Sequence, residues 1–270
     1  MLDRIKKATE ARIQRWQSRN FERTKYGRTL RKLKNCHLGE KCFVIGNGPS
    51  LRATDLQALY ERRIPCFATN RIYKIFDQTD WRPTYFMSED VNVLRGVQNE
   101  VSALKAEKKF IPINLKWFEG IDIAGADYFW MDYESERPET FNLSTDAAHA
   151  IRCRSTVTTS CIQLAAYMGF SEIYLLGVDH NFAKMVDKNG NVIEDKSVQS
   201  HFIKDYNSDI KDLGFNVDDA TEAYIDIEKL SRKLGSFRVY NATRGGKLEV
   251  FERRSFDEII KELTMGGKQK

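Results

Sequence analysis

The residues best able to do chemistry stand at the ends of apolar runs. Cys42-Phe43-Val44-Ile45 leads into Gly46-Asn47-Gly48-Pro49-Ser50-Leu51. Two glycines let backbone approach a ligand closely, and successive N–H groups in such a loop can cradle a phosphate. Pro49 has no N–H and suits the turn into a helix. A plain tight turn is the blander reading of the same loop. Asn70 follows a second apolar run, Glu89-Asp90 a third, and Asp179-His180 a later one. In open α/β sheets the carboxyl ends of the strands form the ligand crevice. Polar residues at four such ends therefore point to a nucleotide-type ligand more strongly than any one of them does. For Glu89 and Asp90 the alternatives are a carboxylate pair favoured by a helix N-terminus, an acceptor site, or a magnesium site shared with phosphates.

The elements that must position these residues alternate strand and helix. Strands are expected at Cys42–Ile45, Pro65–Thr69, Thr84–Met87, Phe110–Ile111, Tyr128–Met131, Ile173–Leu176 and Phe237–Tyr240. Helices are expected from a cap at Thr54 or Asp55 through Leu59, from Val91 to Lys108, from Thr156 to Met168 with Gly169 closing it, and from Thr221 to Leu234. This pattern predicts an α/β fold, a mostly parallel twisted sheet with helices on both faces. The segment from about 181 to 216 is polar and aperiodic and reads as a lid or binding segment.

Composition narrows the class. The chain has 270 residues, 41% hydrophobic and 30% charged, with a formal net charge of +5. Residues 1–35 hold twelve lysines and arginines against three acidic residues, so the basicity belongs to this segment and the body is mildly acidic. That argues against a nucleic-acid-binding face. The segment reads as a basic amphipathic helix with Leu2, Ile5, Ile13 and Trp16 on one stripe. Such a helix packs on its own body or on a partner subunit, as in a homo-oligomer, or lies on an anionic membrane. Residues 36–250 are then the nucleotide-binding domain, and 251–270 a basic C-terminal helix and tail. Five cysteines without C-x-x-C spacing read as reduced thiols of a cytoplasmic protein, with the inner face of the membrane as the other location.

Several nucleotide and hydrolase motifs fail. The first loop lacks the third glycine of a dinucleotide fingerprint, and Asn70 stands where that fold wants an acidic residue. Gly245-Gly246-Lys247 lacks the spacing of a P-loop, no histidine–cysteine cluster has zinc spacing, and no G-x-S-x-G elbow occurs.

The chain resembles a family, however, at Gly46 to Leu51, at Asn70-Arg71-Ile72-Tyr73, and from Arg154-x-Thr156 through Gly169-Phe170-x-Glu172 to Gly177-Val178-Asp179. These residues are similar to bacterial lipooligosaccharide sialyltransferases, which have a variant GT-A fold and use CMP-sialic acid without a metal. They are also similar to the MptE-like family, named for an archaeal 6-hydroxymethylpterin diphosphokinase, whose core is shared by flagellin-modifying motility accessory factors. Residues 241–249 look like MptE-like proteins associated with surface polysaccharides.

The resemblance implies a nucleotide site made of Gly46, Asn47, Gly48, Pro49, Ser50, Asn70, Thr156, Thr158, Gly177, Asp179, His180 and Asn181. Asn47 and Gly48 would hold phosphate and ribose, Thr156 and Thr158 the donor's carboxylate. His201 or Asp205 would be the base, with Arg154, Lys204 or Tyr206 neutralising the leaving phosphate. A structural loop histidine is the other reading of His201, and His37 and His149 read as surface residues. The implied activity is transfer of a sugar from a nucleotide-activated donor, a CMP-linked 2-keto acid, to a glycan acceptor, with no cofactor. The alternatives are an ATP- and Mg²⁺-dependent pterin diphosphokinase and a non-catalytic nucleotide-binding protein.

Overall fold

The computed structural model describes residues 12, 16–17, 19–133, 143–186, 191–206 and 215–266. Seven parallel strands form the central sheet. In chain order β1 (Lys41–Ile45), β2 (Cys66–Thr69), β3 (Tyr85–Met87), β4 (Lys108–Pro112) and β5 (Ala126–Phe129) step outward in one direction. Two short strands, β6 (Met131–Asp132) and β7 (Ile151–Arg152), pair with each other beside the main sheet. The chain then returns to the other side of β1 with β8 (Glu172–Leu176), makes the antiparallel hairpin β9 (Lys184–Val186) and β10 (Val192–Glu194), and ends the sheet with β11 (Arg238–Asn241). The order is β11-β8-β1-β2-β3-β4-β5, so the direction of winding reverses between β1 and β8.

The central strands β1, β2, β3 and β8 read as apolar runs because both sheet faces are covered. Phe43 pairs with Tyr174 on one face, where Phe256 of the helix Phe256–Gly266 meets Phe43 at 5.8 Å. Val44, Phe67 and Tyr85 share the opposite face, where Phe170 packs and Cys161 of the helix Val157–Tyr167 reaches Met87. The α/β class and parallel sheet read from the sequence are those observed.

Several local expectations are corrected. Neither Thr54 nor Asp55 caps the helix Ala53–Glu61; Asp55 is buried and takes a two-pronged ion pair from Arg244, at 3.0 and 3.2 Å. Arg244 also binds Asp257, tying the C-terminal helix, whose first turn is acidic, to the body. The long helix expected from Val91 is two short ones, Val91–Arg95 and Gln98–Ala103, parted at Gly96-Val97. The strand expected through Met131 divides at Trp130 between two sheets.

At the N-terminus, Leu2, Ile5 and Ile13 lie outside the described residues, and Trp16 is exposed. Beyond them the segment packs on its own body: Phe21 and Leu30 are fully buried, and Tyr26 meets Tyr128 of β5 edge-on at 5.4 Å. His37 is only partly exposed. Its ring stacks on Phe170 at 4.4 Å and bonds the Tyr85 hydroxyl at 2.5 Å and Glu40 at 3.0 Å. No helix among the described residues is long and apolar enough to cross a membrane.

Candidate active site

The carboxyl ends of β1, β2, β3 and β8 open into one cavity of about 450 Å³, at the reversal of winding where open α/β sheets bind ligands. Its floor is Gly46-Asn47-Gly48, Thr69-Asn70 and Glu89-Asp90. Gly177 to Phe182 form one wall, and Ser155 to Thr158 another. Asn92, Val93, Lys184, Ser200, His201, Tyr206, Phe215 and Tyr224 complete the lining.

The glycine loop is built for closeness. A Cβ on Gly46 would lie 2.4 Å from the Gly177 carbonyl oxygen, and one on Gly48 would lie 1.9 Å from Asp179 Oδ2. The Gly46 and Gly48 N–H groups donate to Leu176 and Gly177, each at 2.8 Å, and Ser50 N donates to Asp179 at 3.4 Å. Those N–H groups are engaged, so they do not form the phosphate cradle expected of the loop. The loop instead sutures β1 to β8.

Asn47 is oriented by its neighbours. Its Nδ2 donates to the Thr69 carbonyl at 3.1 Å and to Thr69 Oγ1 at 3.0 Å. A carbonyl only accepts, so the amide nitrogen must face it and Oδ1 must turn away. That oxygen is buried and has no partner among the described residues. The side-chain oxygen of Asn70 accepts from Ser88 Oγ at 2.9 Å. Asn70, Ser155 and His180, with φ near +52°, all line the cavity in left-handed conformations that side chains other than glycine adopt with strain.

The carboxyls differ sharply. Burial pushes Glu89 up to about 7, partly offset by the nearby Ser160 hydroxyl. Glu89 Oε2 and Ser160 Oγ are both buried without a hydrogen bond of ordinary geometry among the described residues. Asp90 is exposed and caps its helix, accepting from Asn92 N at 2.7 Å. Asp179 accepts from Ser50 Oγ at 2.8 Å; burial raises its pKa and the Ser50 bonds oppose that. His180 bonds Thr221 Oγ1 at 2.8 Å, and burial lowers its pKa, keeping the ring neutral. Burial raises the Tyr224 phenol to about 12, so it remains a donor. Thr156 caps the helix Val157–Tyr167.

The segment after the hairpin is fastened, not loose. Phe202 N donates to Asn47 O at 3.0 Å, and Arg71, almost fully buried, gives its N–H to the Tyr206 hydroxyl at 2.9 Å and a guanidinium N–H to the Tyr206 carbonyl at 3.1 Å. Lys74 Nζ holds the Asp205 carbonyl at 2.8 Å. His201 lies against Tyr206, ring centres 4.1 Å apart. Residues 187–190 and 207–214 of the expected lid lie outside the described residues.

The structure therefore brings Gly46, Asn47, Gly48, Asn70, Glu89, Asp90, Thr156, Thr158, Gly177, Asp179, His180, Asn181 and His201 to one cavity. Five expected residues do not line it. Asp205, Lys204 and Pro49 are exposed, Arg154 pairs with Asp226 at 3.4 Å, and Ser50 serves Asp179. Lys184, Ser200 and Tyr224 are additions that sequence reasoning missed. Lys184 sits in an aperiodic stretch, and Tyr224 lies within the helix expected from Thr221 to Leu234. As for Mg²⁺, Asp179 is committed to Ser50 and Asp90 to its helix. No group of three or more His, Cys, Asp or Glu among the described residues is placed to hold a metal.

The profile of the family described as 6-hydroxymethylpterin diphosphokinase MptE-like matches residues 17–185. Among solved structures, the MAf glycosyltransferase from Magnetospirillum magneticum AMB-1 is 14% identical with a TM-score of 0.48. That likeness covers 86% of this chain and 38% of the other, so the chain spans well under half the length of that enzyme. The sialyltransferase CstII from Campylobacter jejuni, solved in complex with the substrate analogue CMP-3FNeuAc, is 15% identical with a TM-score of 0.41, covering 80% of this chain and 86% of that one. No curated protein matches the chain.

Proposed function

The chain belongs to the MptE-like family, and from that premise we propose that it is a glycosyltransferase whose cavity takes a nucleotide-activated sugar, a CMP-linked 2-keto acid being the first donor to test. The observation that carries this reading is the balance of charge around the cavity. Lys184 is the one lysine or arginine among its described lining residues, against Glu89, Asp90 and Asp179. A nucleoside triphosphate needs several cations or a well-held metal around its phosphates. A nucleoside monophosphate joined to a sugar carries far less charge, which Lys184 and the hydroxyls of Thr156, Thr158 and Tyr224 can balance. Polar, neutral side chains elsewhere in the lining suit a polyhydroxylated ligand.

In this reading His201, held against Tyr206, is the candidate base for the acceptor hydroxyl. Asp205 is not, because it does not line the cavity. The family description favours a second reading, transfer of a pyrophosphoryl group from ATP to a pterin with release of AMP. That reaction calls for Mg²⁺, and of the three cavity carboxylates Asp179 is held by Ser50 and Asp90 by its helix, which leaves Glu89.

The test is direct. The protein is incubated with CMP-, UDP- and GDP-linked sugars in EDTA, and separately with ATP, Mg²⁺ and 6-hydroxymethylpterin, and released nucleotide is quantified by chromatography. Release of CMP in EDTA, abolished in His201→Ala, is expected. Release of AMP alone, dependent on Mg²⁺, would replace this reading with the diphosphokinase.

A further inference from the structure

The basic segment of the chain packs by one side and leaves the other outward. Residues 19–38 carry Arg19, Arg23, Lys25, Arg28, Arg31, Lys32 and Lys34 against Glu22 alone, and all seven cations are exposed. The helix Lys25–Arg31, with Lys32 as its C-cap, sorts its residues by side. Gly27 and Leu30 are buried, and Tyr26 and Leu33 pack against the core. Lys25, Arg28, Arg31 and Lys32 recur every three or four residues on the outer side. Arg28 and Arg31 donate to the backbone carbonyls of Arg23 and Glu22, at 2.6 and 3.3 Å. Among the described residues none of the seven forms an ion pair with a carboxylate. Clustered like charges repel one another, and a surface of opposite charge relieves that.

Two apolar side chains bracket this stretch. Trp16 and Leu38, 67% and 75% exposed, are the two most exposed large hydrophobic side chains among the described residues. Cations alone suit any polyanion. Tryptophan and leucine beside them suit the boundary between lipid headgroups and acyl chains, where apolar tips are buried while basic groups meet phosphates. A nucleic acid offers the phosphates but no apolar layer for Leu38 to enter. We propose that the outer face of this helix, with Trp16 before it and Leu38 after it in the chain, docks the protein on an anionic phospholipid surface. Lys34 to Leu38 lead into the start of β1, whereas the cavity opens at the carboxyl ends of the strands. Docking here therefore leaves the cavity free to exchange a soluble ligand, and it holds whichever ligand the cavity takes.

The test is co-sedimentation of the full chain with phosphatidylcholine vesicles, with and without phosphatidylglycerol, at low and at high salt, alongside binding to a single-stranded RNA oligonucleotide. Binding is expected where phosphatidylglycerol is present, and it should fall at high salt. Each lysine or arginine near an anionic bilayer is worth about fivefold in affinity, so Arg28→Gln/Lys32→Gln should weaken binding about tenfold or more. Lys25→Glu/Arg28→Glu/Lys32→Glu should abolish it, with a Tm near that of wild type because these side chains are exposed. If the charge-reversed protein fails to fold, the glutamine variant carries the test. Vesicles with phosphatidylglycerol should also blue-shift tryptophan emission in wild type and not in Trp16→Ser. A glutamine variant that binds as wild type does, equal binding to neutral vesicles, or no binding at low salt would each overturn the proposal. Binding of the RNA without binding of vesicles would overturn it too, and would make the face a nucleic-acid site. A blue shift retained in Trp16→Ser would remove Trp16 from the docking face.

Discussion

His37 and Glu89 are polar residues at opposite ends of the same sheet, and they are treated in opposite ways. At the amino-terminal end, His37 has all its polar atoms partnered: Tyr85 and Glu40 take its two ring nitrogens, and Phe170 stacks on its ring. At the carboxyl-terminal end, Asn47 Oδ1 is buried and unanswered, the Glu89 carboxyl stays raised by burial despite the Ser160 hydroxyl beside it, and three side-chain-bearing residues hold left-handed backbone. One end has satisfied its polar groups within the protein. The other holds strain and open valences that a ligand would relieve.

Substitutions can break this contrast, the largest effects coming from the backbone that shapes the open end. Gly46→Ala would drive a methyl group into the Gly177 carbonyl, and a loss of about 3 kcal/mol is expected in denaturant unfolding. Gly48→Ala meets a movable side chain, Asp179, so it should disturb ligand binding more than stability.

A pH experiment sharpens the contrast next. Glu89 titrates near 7 in the fold and near 4.5 when unfolded, so between those values the folded chain holds the extra proton. Stability attributable to this group must therefore fall as pH rises through that window, by at most about 3 kcal/mol. Glu89→Gln should flatten the fall, measured as the unfolding midpoint across the pH range. At the closed end, His37→Leu strips the Tyr85 hydroxyl and Glu40 of their partner, with an expected cost of about 2 kcal/mol and no change in nucleotide affinity. The smallest effect is expected at Asp205→Asn: turnover within about twofold of wild type, because the side chain does not line the cavity. His201→Ala assayed beside it should lose most activity, in the 10²–10⁴-fold range typical of a general base.

Much of the fold was legible because a parallel sheet writes itself as apolar runs punctuated by polar ends. Val44, Phe67 and Leu175 announce their strands, and Asn47, Asn70, Glu89 and Asp179 mark where they stop. Long-range partners were not legible. Nothing local shows that Asp55 would leave its helix end for Arg244, nearly two hundred residues later, or that Arg154 would be claimed by Asp226. The loop Gly46 to Ser50 was read as a phosphate cradle because a glycine pattern states closeness without saying to what. Here the close neighbour is Gly177 and Asp179. Lys184, by contrast, lies in a stretch whose position depends on a small hairpin and on pairing with Phe215, and no periodicity signals either.

The claim that the open end of the sheet is a nucleotide-sugar site rests most directly on one measurement: calorimetric titration of the purified protein with CMP in EDTA, and with ATP in the presence of Mg²⁺. Saturable binding of CMP without metal, tighter than that of ATP with Mg²⁺, is the predicted result. Binding of ATP only when Mg²⁺ is present, with none of CMP, would contradict it.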